Sequence, residues 1–434
     1  MNLPLRWTLA VAAALPLFPQ NVDALLERLE RLERDNSAMR AELETLRKEL
    51  SALKSAAVSQ AEKSEIAERR LEEQAQSKVE ASQKYPVRLR GMALVNLYRN
   101  GRHANNTDHP TTASRIPGRA TAAATFRQTV LGVDFHGPQL FGAAVSGSIA
   151  GDFYEGSTET VQFAPARLRT AHVSFDWASR SLMIGQEKPL IAQRDPNSLS
   201  FVGVSPLTAA GNLWRWQPQI RVEQRFGDAA STQFRAQAAL MQTSEESGGV
   251  AGGLSLERRR PGLQGRFAFS HRLDEERRIE IAPGFHVSTS HVGPFSLPSN
   301  ALTVDWFANP VKLVEFSGTL FSGENLHHFG AFRQGWIVNG NTARTVRSRG
   351  GWAQISVPVH ARVSLNLFGG VMDDRNSDLV AASIGANATG AANVMFRLAP
   401  NLLLSLEALQ TRTRFLTGGT QRNPRYDLAI AYHF

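Results

Sequence analysis

The residues of this sequence best suited to chemistry are its arginines. Residues 85–434 hold 33 Arg and 2 Lys against 25 Asp plus Glu, an excess of ten positive charges. A guanidinium stays charged at any physiological pH and offers a planar fork that matches carboxylate and phosphate. Parity along the expected strands sends Arg88, Arg90, Arg221, Arg225, Arg235, Arg266, Arg272, Arg362, Arg397 and Arg425 to one face. Rings of such residues on a channel wall favour anions. The same residues paired with Glu223, Glu280, Glu407 or Asp427 would instead brace the wall, and parity leaves both roles open. The run Arg258, Arg259, Arg260 sits in an expected loop and suits lipopolysaccharide-like phosphates.

Other chemistry is missing. There is no nucleophile elbow, no phosphate-binding Gly-Lys-Ser/Thr loop and no carboxylate calcium loop. Without Cys there is no thiolate metal site. Glu324, His327 and His328 imitate a metal-ligand set, but they fall in an expected external loop without further partners. The expectation is no enzyme, no cofactor and no metal.

The arginines need elements to position them, and the chain changes character before they begin. Between residues 20 and 84 there is no Gly, no Pro and no aromatic residue, whereas all 34 glycines come from Gly91 onward. Residues 1–24 read as a secretory signal: Arg6, an apolar stretch from Trp7 to Phe18, and small residues Val22 and Ala24 before the cut. Residues 25–84 read as a coiled coil whose heptad register starts at Val22, with Leu29, Asn36, Leu43 and Leu50 at a and Leu25, Leu32, Met39, Leu46 and Leu53 at d. A repeat of 3.5 requires a partner helix. Four g–e pairs of a parallel coil are attractive: Arg28–Glu33, Asp35–Arg40, Glu42–Arg47 and Glu49–Lys54. Asn36 at an a position would fix register, and by itself leans toward two strands. Basic charge also raises nucleic-acid binding, but export argues against that partner.

From Pro86 the period becomes two. Tyr426, Leu428, Ile430, Tyr432 and Phe434 lie on one face, and Arg425, Asp427, Ala429, Ala431 and His433 on the other. No apolar run is long enough for a membrane helix. Alternating segments of about ten residues, joined in turn by tight turns and long polar loops, point to an all-β transmembrane barrel. Tight turns are expected at 136–139, 178–181, 226–231, 273–277, 308–311, 359–362 and 397–401. Longer loops are expected at 99–119, 154–166, 186–219, 243–260, 293–299, 322–350, 373–383 and 416–424. That alternation defines about sixteen antiparallel strands in residues 85–434, or eighteen if Leu254 and Leu256 begin another. Both ends of the barrel fall on the short-turn side.

At this point the chain resembles the trimeric outer-membrane porins of the phosphate-selective and dicarboxylate-channel group. The resemblance rests on the order coil then barrel, on Arg167–Trp177 leading into Leu182–Gln186, on Phe321–Leu326, and on the terminal Arg425–Phe434. It implies a water-filled pore for passive diffusion of small hydrophilic solutes, biased to anions, in the outer membrane of a Gram-negative-type bacterium. The coiled coil would then lie in the periplasm. The implied partners are two further copies of the chain, outer-membrane lipids, small anionic solutes and the barrel-assembly machinery. That machinery would read Tyr426, Leu428, Ile430, Tyr432 and Phe434 as its signal. The loop at 186–219 would fold into the lumen as the constriction, bringing Lys188, Arg194, Asp195 and Arg215. The lysine-rich selectivity of phosphate channels has no counterpart here. The competing reading is a structural anchor whose coil tethers the membrane to peptidoglycan.

Overall fold

The computed structural model describes residues 87–434 except 155–164, 243–260, 293 and 332–333, together with Arg31, Glu44, Thr45 and Lys48. The expected signal, the heptads and the Arg258–Arg260 run lie outside the described residues. The chain divides between Lys84 and Tyr85, where the glycine-free composition ends.

The second unit is built from strands β1 (Val87–Asn100), β2 (Thr121–Thr125), β3 (Val130–Leu140), β4 (Ala143–Asp152), β5 (Arg167–Asp176) and β6 (Arg180–Glu187). There follow β7 (Gln217–Gly227), β8 (Thr232–Met241), β9 (Gly262–Arg272), β10 (Arg278–Val292), β11 (Phe295–Val311) and β12 (Val314–Glu324). The last are β13 (Trp336–Asn339), β14 (Thr342–Thr345), β15 (Arg347–His360), β16 (Val363–Asp374), β17 (Ile384–Ala399), β18 (Leu402–Phe415) and β19 (Thr420–His433). β2 and β3 are two segments of one barrel strand, since both pair with β1, and β13–β14 is a separate hairpin in a loop. Each remaining neighbour pairs antiparallel, and β1 closes on β19 from Met92↔His433 to Asn100↔Arg425. The result is a closed barrel of sixteen strands.

Alternation decides which side each residue faces. Leu131, Ile149, Ile220, Leu302, Leu367 and Leu406 are exposed on the outside, while Asn96, Gln264, Asn366, Asn393 and Asp427 are buried within. A band of exposed leucine and isoleucine around a whole barrel is stable only against lipid. Closure serves the same end, because an unpaired strand edge could not be satisfied there.

Several boundaries differ from the expectation, among them the loop at 416–424, where Thr420–Pro424 already belong to β19. The first hairpin turns at Phe141 and Gly142, both with positive φ (52° and 74°), and residues 136–139 form a bulge instead. Two positive-φ residues make the turn that matches strand twist, so Phe141 leaves the strand face and is 85% exposed. The loop expected at 293–299 is a two-residue connection, because Val292 pairs directly with Phe295. Gly, Pro and Ser there suggested a break, yet the strands run on to 15 and 17 residues. The turn after β11 lies at Lys312 and Leu313, with a bulge between Ala308 and Val311.

The barrel seam depends on one glycine. Gly91 and Phe434 exchange backbone hydrogen bonds of 2.9 and 3.1 Å. A Cβ at Gly91 would lie 2.5 Å from the Phe434 ring and 2.7 Å from the Val130 carbonyl oxygen. Gly91→Val should therefore loosen the closing pair and destabilise the barrel by about 1–3 kcal/mol, the usual range for overpacking. Heat-dependent gel migration of the folded barrel should shift to lower temperature; an unchanged transition would show that the seam tolerates the side chain.

Candidate permeation pathway

The longest described connection, residues 188–216 between β6 and β7, lies inside the barrel. Leu190, Ile191, Leu213 and Trp214 are buried, as are Leu199, Phe201, Leu207 and Ala210. What fixes the loop is a set of inward amides that act as a substitute sheet for its backbone. Asn96 donates to the Leu199 carbonyl (2.8 Å), Gln128 to Ser200 (3.0 Å), Asn387 to Ala209 (3.0 Å) and Asn393 to Asn197 (2.8 Å). In return the Gln128 Oε1 accepts from the Val202 and Gly203 amides, at 2.7 and 2.9 Å, and Gln354 accepts from Asn197 at 2.6 Å. These anchors sit on β1, beside β3, and on β15 and β17, one arc of the wall, whereas the loop is rooted at β6 and β7 on the opposite side, so it crosses the lumen. A buried backbone without such partners would be strongly destabilised. Sequence reasoning on charge missed these amides. Their signal was Asn and Gln at inward parity on strands of one arc of the wall.

Charges lock the loop to the β8–β11 wall. Arg194 reaches Glu280 (2.8 Å) and Asp305 (3.1 Å); Arg266 reaches Glu280 (3.0 Å) and Asp305 (2.8 Å); Arg235 reaches Glu280 (3.1 Å). Three guanidinium groups thus share two carboxylates, leaving one positive charge. Arg221 donates to the Lys188 carbonyl and Gln219, and Lys188 pairs with Asp195. Burial pushes the Asp195 carboxyl up, but Lys188, then Ser205 and Asn212, outweigh it and hold it below the usual carboxylate range. A depressed folded value means the contact stabilises above the ordinary carboxyl pKa and fades as pH falls through the lower folded one. Asp195→Asn should therefore lower the unfolding temperature near neutrality, and the difference from the parent should vanish in strong acid. Equal pH profiles for the two proteins would remove Asp195 as an anchor.

The other predicted arginines are spread over the wall. Arg90 bonds Asp134 (2.7 Å) and Ser148 (2.7 Å), while Arg88 beside it is exposed. Arg225 ties the β5–β6 turn, donating to the Trp177 and Arg180 carbonyls, and meets Glu223 at 3.4 Å. Arg272, Arg362 and Arg397 lie exposed at the short-turn rim. Arg425 is fully buried: it pairs with Asp427 (2.7 Å), donates to Asn100 (3.1 Å) and lies 4.0 Å over Tyr98 and 5.2 Å from Phe201 of the loop. Outside, Tyr426, Ile430, Tyr432 and Phe434 are exposed and Leu428 is half-buried.

Above the loop a cavity of about 620 Å³ opens toward the long loops, lined by Asn105, His109, Tyr154, Arg167, Trp214 and Arg215 among others. Arg167 holds Asp152 (2.6 Å) and lies over Tyr154 and Trp216, while Arg169 stacks on Trp216 at 4.7 Å and meets Asp152 at 3.8 Å. Arg127 pairs with Asp108 (3.0 Å) and lies 5.0 Å over Tyr154. Arg167 and Arg215 thus line this vestibule, with Arg127 and Arg169 packed behind Tyr154 and Trp216. The signal missed here was Arg-x-Arg at a strand start beside a long loop. His327 and His328 lie in the 327–329 turn, buried against aromatic rings, and no metal-ligating cluster exists among the described residues.

No protein-family model matches the chain, and no curated protein matches it. Among solved structures, the outer membrane channel DcaP of Acinetobacter baumannii superposes with a TM-score of 0.67 at 16% identity, covering 80% of this chain and 97% of its own. The anion-selective porin from Comamonas acidovorans gives 0.55 at 12% identity, covering 80% and 99%. The fold is that of the outer-membrane porins. Within this porin fold the wall cluster makes a sharp prediction. Arg266 is 3% exposed, so Arg266→Met should cost about 3 kcal/mol by leaving buried carboxylates undercompensated. Arg235→Met, with its side chain 29% exposed, should cost less than about 1 kcal/mol. Urea midpoints in detergent measure both, and an inverted order would mean that Arg235 carries the lock.

Proposed function

We propose that the protein is an outer-membrane porin for passive diffusion of small hydrophilic solutes, biased to anions. The observation that carries this reading is the loop 188–216 held across the lumen by wall amides and arginines, beneath a cation-rich vestibule. Such an arrangement narrows a wide barrel to a charged eyelet, and selectivity is then electrostatic and geometric. Arg167 and Arg215 stand in the vestibule lining, and in the wall below it Arg194, Arg235 and Arg266 share Glu280 and Asp305, which leaves that cluster one positive charge. The pore-lining arginines and the loop cations read from the sequence belong to this proposal. So does the likeness to the phosphate-selective and dicarboxylate-channel group, and the anion selectivity of the Comamonas porin is in keeping with it. The heptads of 25–84 supply the means for a homotrimer with its coil in the periplasm.

Planar-bilayer recording tests the reading. Full-length protein should give discrete conductance steps, and a salt gradient should give a reversal potential of anion-preferring sign. That preference should shrink as salt rises, because charges are screened over about 8–10 Å at ordinary ionic strength. Arg167→Gln with Arg215→Gln removes two vestibule charges and should bring the reversal potential toward zero without abolishing conductance. Absence of unitary steps would refute the channel, and an unchanged reversal potential would move the selectivity away from the vestibule.

A further inference from the structure

The outside of the barrel between β15 and β2 carries a depression that the pore does not use. It is an apolar groove of about 1080 Å³, walled by Leu97, Leu367, Leu406 and Leu428, with Ala392 and Ala408 among its small residues. Arg99 lies in its lining, two residues beyond Leu97 on the same outward parity toward the long-loop end of β1.

At that end of the same arc, arginines replace the apolar side chains. Arg347 and Arg349 of β15, Arg412 and Arg414 of β18, and Arg422 of β19 join Arg99 on or near the outward face. Among the described residues their counter-charges are few. Asp373 serves both Arg349 (3.3 Å) and Arg414 (3.2 Å), Asp378 pairs with Arg347 (2.6 Å), and Glu324 bonds Thr345 and Asn300. Six cations against three carboxylates leave three positive charges. Arg412 and Arg422 are also register partners, directly opposite on neighbouring strands and both exposed. Like charges so placed destabilise a sheet, unless an anion lies between them. On the other arc Pro218, Leu240, Leu263, His291 and Pro298 stand at outward positions near this level, and none carries a negative charge. A second copy docking by that arc would bring no counter-charge.

We propose that this arc binds an anionic lipid. Its phosphate headgroup is held by Arg99, Arg412 and Arg422, and an acyl chain lies in the groove below. Headgroup and chain site are stacked in the order that a bilayer leaflet stacks them: charge at the long-loop edge, hydrocarbon toward the barrel middle. Guanidinium forks suit phosphate oxygens, and a phosphate between Arg412 and Arg422 turns their repulsion into a clamp. The inference rests on the barrel spanning a lipid bilayer and not on its conductance. A protein silent in bilayer recording that still bound lipid would overturn the channel reading alone.

Native mass spectrometry of the full chain tests it, with a bis-phosphorylated acylated glucosamine disaccharide as the probe. Its dephosphorylated form and inorganic phosphate serve as controls. The phosphorylated lipid should persist as a mass adduct, the dephosphorylated form should bind roughly tenfold less, and millimolar phosphate should not displace the adduct. The Arg99→Gln, Arg412→Gln, Arg422→Gln triple variant should lose the adduct while keeping the parent's heat-dependent gel migration. Ala408→Trp, which fills the groove and leaves the arginines, should weaken it as well. Equal binding of both lipid forms, or an adduct unchanged in the triple variant, would overturn the proposal. So would Ala408→Trp dissociating the oligomer with lipid binding intact, which would give the groove to a second copy.

Discussion

Everything inside this barrel depends on the need to satisfy a loop backbone that water cannot fully reach. Closing sixteen strands removes the sheet edges but leaves a polar inner wall and a connection of nearly thirty residues to place. The solution is a set of Asn and Gln side chains that bond peptide groups much as a neighbouring strand would. Asn96, Gln128, Gln354, Asn387 and Asn393 stand on different parts of the wall and converge on one stretch of chain, residues 197–209. Amides suit this task because each offers both donors and an acceptor, whereas a guanidinium only donates.

Arginine takes the complementary role where charge must be held in a narrow space. Glu280 accepts from Arg194, Arg235 and Arg266 together, a sharing that planar forks permit and single ammonium groups would manage poorly. The near absence of lysine in residues 85–434 follows the same logic. Fixed, flat cations can brace a wall and still leave a small net charge facing the solute.

The strand pattern was legible in the sequence because lipid outside and polar contents inside impose a period of two on every strand. Parity sorted Tyr426 outward and Arg425 inward correctly. It could not show that Arg425 is sealed between Tyr98, Asp427 and Phe201 while Arg88 is exposed, because that depends on where a loop far away in the chain comes to rest. The 293–299 stretch misled for a local reason: Gly, Pro and Ser signal a break in water, but long neighbours on both sides carried the pairing through. The vestibule arginines were missed because Arg127, Arg167 and Arg169 come together only when loop and strand ends meet around Tyr154 and Trp216.

The embedded loop also dictates an order of events. Its contacts reach from Asn96, 103 residues before Leu199, to Glu407, 209 residues after Ser198. Neither partner is beside it until the first and last thirds of the chain have met. The surface of β15 and β16 is stripped to backbone where the loop crosses: a Cβ at Gly211 would sit 2.1 Å from the Gly351 carbonyl oxygen, and one at Gly370 2.2 Å from that of Ala210. Contacts this tight and this distant in sequence bring their loop-closure entropy with them, so the seating of the loop belongs to the slow end of folding.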